Sequence, residues 1–235
     1  MIQIQPDLFL LEGLRISNVY LLASPEGLTL VDSGPAGQAD KILAELTKAG
    51  HSHSDLRQVV ITHAHNDHIG SAAEIVRRTG ARVLAYKDEA EFIARTAHMP
   101  TRSPLLRMLL RLEGRVIPAP PPIKIDIALE DGQVIPDTGG YTALHAPGHT
   151  PGSMCLYHPE RHILIAGDAL FNVTPMTGKK GLREPLNLFS TDILLARQSI
   201  RKLAGLQVDV LLCGHGEPIL TDASVLIKNL TGYAG

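Results

Sequence analysis

The chain has 235 residues, 44% of them hydrophobic, which is enough for a globular protein with a sizeable core. Its 22 basic and 24 acidic residues give a net charge of -2, so the charge balance favours neither a nucleic-acid partner nor an anionic membrane. We expect no signal peptide and no membrane segment, because no stretch approaches the roughly 20 apolar residues that span a bilayer. Cys155 and Cys213 do not make a disulfide framework; we expect both to be buried in a cytoplasmic protein.

Apolar runs separated by turn residues predict alternating strands and helices in the first half of the chain. The predicted strands cover residues 19–23, 28–31, 59–61 and 82–86, and the predicted helices cover residues 42–49, 69–76 and 88–95. Strands that alternate with helices in this way indicate an α/β fold built in layers.

Residues 97–122 break this rhythm, since six prolines punctuate them. Within them, residues 105–112 predict a short and very apolar helix. This helix is either a packed connection or part of a mobile flap or dimer contact that lines a substrate pocket. The sequence leaves these interpretations open.

Strand patterns return after residue 122. The predicted strands cover residues 125–129, 133–135, 141–145, 154–157, 163–166 and 208–212, and the predicted helices cover residues 193–203 and 221–230. Between them, a polar loop at 172–189 carries Lys179, Lys180 and Arg183, which fit either a solvated loop or a contact to a phosphate. Because the two halves repeat an order of hairpin, strand and helix, we expect two similar halves packed sheet against sheet.

The most informative stretch holds three histidines and an aspartate within residues 63–68. It lies between a predicted strand and a predicted helix, so its side chains can converge. His63 and His65 are two residues apart and point the same way in an extended segment, whereas Asp67 and His68 open the helix and can aim at a second point. A single histidine is usually structural, but four ligand-type side chains at this spacing indicate a site for Zn²⁺, Fe²⁺ or Mn²⁺.

Further ligand-type residues follow predicted strands. His149, Asp168 and His215 are each flanked by glycine, which lets the backbone come close to a metal or substrate. Asp168 comes directly after a buried apolar strand, where its charge needs compensation that a metal provides. Asp32 also follows a strand; it is either an ordinary residue at a helix start or, as we favour, a carboxylate that accepts the second N–H of a ligating histidine.

These residues, in this order, resemble the metallo-β-lactamase superfamily over roughly residues 8–230, and residues 31–34 resemble its first motif. The resemblance implies a single domain over residues 1–235 and an αββα sandwich of four layers. Within this domain we expect a substrate-flap insertion at 97–122, from the prolines and the apolar stretch described above. The resemblance also implies two Zn²⁺ ions. It assigns His63, His65 and His149 to one ion, Asp67, His68 and His215 to the other, and Asp168 to both.

The resemblance further implies a hydroxide shared by two ions, since metal binding lowers the pKa of water from about 15.7 towards about 7. One ion would polarise a carbonyl or phosphoryl oxygen and the other would stabilise the leaving group. Asp67 is the candidate to orient the hydroxide and pass a proton. Asp32 and Ser153 are expected to hold the ligands in place.

The sequence departs from several known branches of the superfamily, and these departures narrow the range of activities that we expect. True β-lactamases lack the bridging aspartate and are exported. Glyoxalase II enzymes carry basic and tyrosine residues after that aspartate, plus a helical C-terminal extension, and neither is evident. Similar lactonases carry a tyrosine where Phe171 stands, and a lost oxyanion donor costs roughly 10²–10³ in rate.

We therefore expect a hydrolase that attacks the ester, thioester or lactone carbonyl of a small, partly apolar molecule. We expect it to act as a monomer or homodimer, without a nucleic-acid or membrane partner. The alternatives are a phosphodiesterase of the same superfamily and a persulfide dioxygenase with one Fe²⁺ on His63, His149 and Asp168. The third alternative is a non-catalytic scaffold that keeps only a vestigial site.

Overall fold

The computed structural model of the protein describes residues 1–14, 16–100, 119–174 and 176–232. The predicted apolar helix at 105–112 lies outside the described residues, as does most of the predicted insertion at 97–122. The flap, the dimer contact and the packed connection all stay predictions.

The first sheet has seven strands whose spatial order follows the chain. They are β1 (Ile2–Gln5), β2 (Leu8–Leu10), β3 (Tyr20–Ser24), β4 (Gly27–Val31), β5 (Leu56–Ile61), β6 (Arg82–Tyr86) and β7 (Ile127–Leu129). Strands β1 to β4 pair antiparallel, whereas β4 to β7 pair parallel. The carboxyl ends of β4, β5 and β6 therefore meet at one edge.

The second sheet has four strands in the order β13-β10-β9-β8. They are β8 (Thr142–His145), β9 (Met154–His158), β10 (Ile163–Gly167) and β13 (Val210–Cys213). Because β10 and β13 are parallel, their carboxyl ends also meet at one edge. Between them in the chain, β11 (Phe171–Val173) and β12 (Lys180–Arg183) form a separate hairpin.

Helices connect and cover the strands. They are α1 (Ala39–Lys48), α2 (Asn66–Ile69), α3 (Ala72–Thr79), α4 (Ala90–Ile93), α5 (Ile193–Ala204) and α6 (Ala223–Thr231). Short 3₁₀ turns lie at His53–Asp55, Lys87–Glu89 and Asn187–Phe189. No helix in the described ranges is long and apolar enough to cross a membrane.

Alternation along the strands builds the layers. In β5, Val59 and Ile61 pack against the helices on the outside of the first sheet, while Val60 points into the space between the sheets. In β10, Ile165 points into that same space, and Leu164 packs with the outer helices of the second sheet. Successive side chains of a strand point to opposite faces, so each sheet buries both of its faces. The predicted αββα sandwich is confirmed.

Some elements differ from the expectation. Strands β1 and β2 were not predicted, because four and three residues are too few for a distinctive apolar pattern. The expected loop at 172–189 contains most of the β11–β12 hairpin. The strand expected at 133–135 is reduced to a single bridge between Val134 and Thr142.

The layer between the sheets gives a stability prediction. Leu156 in β9 is fully buried there, and Leu194 in α5 is 60% exposed. We expect Leu156→Ala to lower the free energy of unfolding by about 2–5 kcal/mol, because it leaves a cavity. The matched variant Leu194→Ala should cost well under about 1 kcal/mol. Urea denaturation of the metal-free chain measures both, and equal losses would contradict this view of the core.

Candidate metal centre

The seven predicted ligands come together where strands of both sheets end. The 63–68 stretch follows β5, Asp168 follows β10, and His215 lies two residues beyond β13. His149 occupies the turn between β8 and β9. Residues that are up to 152 positions apart thus face one another at a single edge of the sandwich.

The first ligand set consists of His63, His65 and His149 together with Asp168, and its ligand atoms lie within 4.8 Å of one another. His63 Nε2 is 3.2 Å from His65 Nδ1. His149 Nε2 is 3.3 Å from Asp168 Oδ2. His65 therefore offers its Nδ1 atom, whereas His63 and His149 offer Nε2.

The second ligand set consists of Asp67, His68 and His215. Asp67 Oδ2 lies 3.3 Å from His215 Nε2 and 3.6 Å from His68 Nε2. Asp168 faces this set too, with Oδ2 3.3 Å from His215 Nε2 and Oδ1 3.4 Å from His68 Nε2. One carboxylate thus lies between the two sets.

The donor atoms fit divalent cations. Ligands at 2.0–2.1 Å from a tetrahedral ion are about 3.3 Å apart. The pair distances given above for the two sets, 3.2–3.6 Å, are close to this value. His68 Nε2, His149 Nε2 and Asp168 Oδ1 are buried and have no hydrogen-bond partner. Buried polar atoms rarely lack a hydrogen-bond partner, and a cation bound to each set would coordinate these three atoms.

In His63, His68 and His215 the other ring nitrogen has a fixed partner, which orients the ring. His68 Nδ1 is 2.7 Å from Asp32 Oδ2, and His215 Nδ1 is 3.0 Å from the carbonyl of Ile16. His63 Nδ1 lies 3.1 Å from Thr62 Oγ1. Partners of this kind hold a metal-binding imidazole in the required tautomer.

Asp32 has a place that fits its predicted role. It follows β4 with a φ of 61°, a left-handed conformation that aspartate tolerates better than most residues. Its carboxylate accepts hydrogen bonds from the Thr62 N–H at 2.8 Å and the Thr62 hydroxyl at 2.7 Å, in addition to the contact with His68. Asp32 thereby connects the start of the 63–68 stretch to its end.

Burial and the carboxylates set the charges. Burial opposes a positive charge on His68 and His215. The negative charges of Asp168 and Asp67 more than offset this effect of burial, and they raise the pKa of His215 to about 9 and the pKa of His68 well above its usual value. Burial lowers the pKa of His65 to about 3. The carboxylates of Asp67 and Asp168 therefore stabilise positive charge beside His68 and His215, as a cation site must.

Residues beyond the prediction also touch the ligands or their turns. Ser190 Oγ lies 3.4 Å from His149 Nδ1. Glu89, fully buried, bonds to the backbone on both sides of the first ligand set. Ser153 contacts Thr150 in the His149 turn rather than a histidine ring, so its predicted supporting role would act through that turn. No local pattern in the sequence distinguished Glu89 or Ser190.

Two other features bear on the predicted alternatives. The Phe171 ring stacks on His215, with ring centroids 4.9 Å apart, and meets the His149 ring edge to face at 6.0 Å. Lys180 pairs with Glu217 at 2.7 Å, and both side chains are highly exposed. The lysine thus has an acidic neighbour, which favours the solvated interpretation of this loop over a phosphate contact.

Gly214 gives a prediction for the centre. A Cβ atom there would lie 2.2 Å from Asp168 Oδ1 and 2.8 Å from His68 Cε1. We expect Gly214→Ala to displace the shared carboxylate and weaken metal binding at least about 10-fold, measured by competition with a chelator. The control Gly205→Ala, at an exposed helix end, should bind like the wild type. Unchanged binding by folded Gly214→Ala would show that Asp168 has room to move.

Comparisons with known proteins agree with this arrangement. Residues 13–215 match the family model of the metallo-beta-lactamase superfamily. Probable metallo-hydrolase YflN of Bacillus subtilis is 31% identical over 220 residues, covering 87% of this chain and 82% of that protein. Hydroxyacylglutathione hydrolase of Pseudomonas aeruginosa is 31% identical over 157 residues, covering 65% of this chain and 47% of that protein. This chain thus matches about half the length of the second relative.

Solved structures share the fold. The metallo-beta-lactamase family protein TTHA1429 from Thermus thermophilus superposes with a TM-score of 0.73 at 24% identity, covering 98% of this chain and 80% of that one. TTHA1623, solved in a di-iron-bound form, gives a TM-score of 0.68 at 26% identity, covering 92% of this chain and 94% of that one. The order of the motifs, the sandwich and the family match agree: this chain belongs to the metallo-β-lactamase superfamily.

Proposed function

We propose that this protein is a hydrolase with two Zn²⁺ ions that cleaves the ester, thioester or lactone bond of a small molecule. The observation that carries the proposal is the arrangement of two complete ligand sets around the shared carboxylate of Asp168. Two divalent ions in these sets would lower the pKa of water towards about 7 and so supply hydroxide at neutral pH.

Asp67 is the residue placed to handle the proton. Its side chain is 30% exposed, whereas that of Asp168 is 4% exposed, so Asp67 is the more solvent-accessible of the two carboxylates. Burial raises the pKa of Asp67, but His68 and His215 more than offset this and hold the pKa below its usual range. The ionised carboxylate can orient a water molecule and accept its proton.

Two relatives support a hydrolase, and the name of one of them supports an acyl substrate. One is named a probable metallo-hydrolase, and another is named for hydrolysis of hydroxyacylglutathione. Because this chain matches only 47% of the second protein, we do not extend our proposal to a glutathione substrate. Phe171 brings an apolar ring, not a hydroxyl group, beside His149 and His215, which disfavours catalysis that needs a tyrosine there.

Metal number separates this proposal from the dioxygenase alternative. A single iron would need only His63, His149 and Asp168 as ligands. It would not explain why Asp67, His68 and His215 form a second group of ligand-type residues. Assembly of all seven residues supports two ions. The di-iron-bound form of TTHA1623 supports iron as the alternative metal pair.

Replacing Asp67 tests the mechanism. We expect Asp67→Ala to lower kcat/KM at least about 100-fold, because the variant loses both a ligand and the proton acceptor. The assay uses p-nitrophenyl esters, thioesters, lactones and bis(p-nitrophenyl) phosphate with protein reconstituted in Zn²⁺. The surface variant Asp209→Ala, which only loses an exposed pair with His162, should keep full activity.

The same panel can overturn the proposal. Hydrolysis of the phosphodiester alone would identify the phosphodiesterase alternative instead. Activity of Asp67→Ala within a few-fold of the wild type would remove Asp67 from the mechanism. Circular dichroism of both variants separates the expected loss of activity in Asp67→Ala from a loss of folding.

A further inference from the structure

Glu89 is a buried carboxylate outside the seven predicted ligands. It ends the 3₁₀ turn Lys87–Glu89 that follows β6, and it is fully buried. Strand β6 lies beside β5, so this turn lies beside the stretch that carries His63 and His65. A carboxylate without solvent is costly unless hydrogen bonds compensate it.

The hydrogen bonds of Glu89 connect two ligand-bearing segments. Oε2 accepts a bond of 2.9 Å from the N–H of Ala64, which lies between His63 and His65. Oε1 accepts a bond of 2.8 Å from the N–H of Gly152 and another from the hydroxyl of Thr150. Both of these residues belong to the turn of His149. One side chain thus holds the backbone next to all three histidines of the first ligand set.

We propose that Glu89 is a positioning residue that fixes the three histidines of the first ligand set relative to one another. It thereby sets the metal affinity of this set independently of the second set. This inference rests on the metal binding of the proposed function and adds the device that tunes one of its two sites.

The surroundings of Glu89 fit this role. A Cβ atom on Gly152 would lie 2.6 Å from the backbone nitrogen of Glu89, so the two segments approach as closely as glycine permits. A backbone bond from Met154 N to Thr62 O, 3.1 Å long, joins the same segments a few residues away. The carboxylate therefore completes a rigid connection between the His63 and His149 segments.

The second ligand set has different supports. His68 relies on Asp32, and His215 relies on the carbonyl of Ile16. Among the hydrogen bonds of the described residues, Glu89 makes none to Asp67, His68 or His215. A change at Glu89 should therefore reach the first set and spare the second.

The hydrogen bonds that Glu89 accepts distinguish it from a side chain that only fills space. Burial raises the pKa of this carboxyl to about 7, although the bonds from Thr150, Gly152 and Ala64 oppose the shift. An apolar side chain would occupy the space without this cost, but it could not accept hydrogen bonds from the two segments. The position therefore requires the two carboxylate oxygens of Glu89 as hydrogen-bond acceptors.

The test isolates each ligand set in a variant that lacks one ligand of the other set. His215→Ala retains the first set, and His149→Ala retains the second. Zn²⁺ affinity of each is measured by competition with a chromophoric chelator, with and without Glu89→Gln. Glutamine has nearly the same shape, but its amide nitrogen cannot accept a bond from a backbone N–H.

We expect Glu89→Gln to raise the Zn²⁺ Kd about 10- to 100-fold in the His215→Ala background and to leave it within about threefold in the His149→Ala background. The control Glu91→Gln, on the exposed face of α4, should change neither. Equal weakening in both backgrounds, or none in either, would overturn the positioning role.

Two safeguards keep the outcome interpretable. If Glu89→Gln does not fold, Thr150→Val removes one donor from the same carboxylate at a fully buried site and should give the same pattern more weakly. Failure of the wild-type chain to bind Zn²⁺ at all would reject the proposed function together with this inference. Selective weakening without any esterase activity would support the inference and leave only the proposed reaction rejected.

Discussion

Asp168 is 5% exposed, and its carboxylate lies 3.3–3.7 Å from the Nε2 atoms of four histidines. A buried negative charge is costly unless positive charge faces it. Burial opposes the charge, yet His68 and His215 hold the pKa of Asp168 well below its usual value. Divalent cations would also supply the positive charge that faces Asp168, and the histidines would then not need to be protonated. The site is thus organised around a charge that only protonated imidazoles or metal ions can balance.

The sandwich makes this arrangement attainable. Asp168 and His215 leave parallel strands of one sheet, and the 63–68 stretch leaves a parallel strand of the other. Parallel strands place their carboxyl ends together, so ligands that are far apart in the chain meet at one edge. A core of side chains from both sheets holds the two halves together. Glycine at position 214 then lets backbone come against the shared carboxylate.

The sequence allowed the α/β layers and the seven convergent residues to be predicted for identifiable physical reasons, whereas the family and the αββα sandwich followed from a resemblance of motifs. Residues 63–68 form a local pattern, and Asp168 follows an apolar strand where a charge needs a partner. Glu89 could not be found this way, because its partners come from residues 64, 150 and 152, which no local pattern connects to it. The β11–β12 hairpin escaped prediction because its strands have only three and four residues, too few for a distinctive pattern. Whether the seven residues bind metal stays a prediction.

The number of bound metal ions tests the account most directly. Protein purified without added metal should contain about two zinc ions per chain by elemental analysis. His149→Ala and His215→Ala should each contain about one, since each lacks a ligand of one set and keeps the other set complete. A wild-type content of about one iron, unchanged in His215→Ala and accompanied by oxygen uptake with glutathione persulfide, would contradict the two-site account and identify the dioxygenase instead.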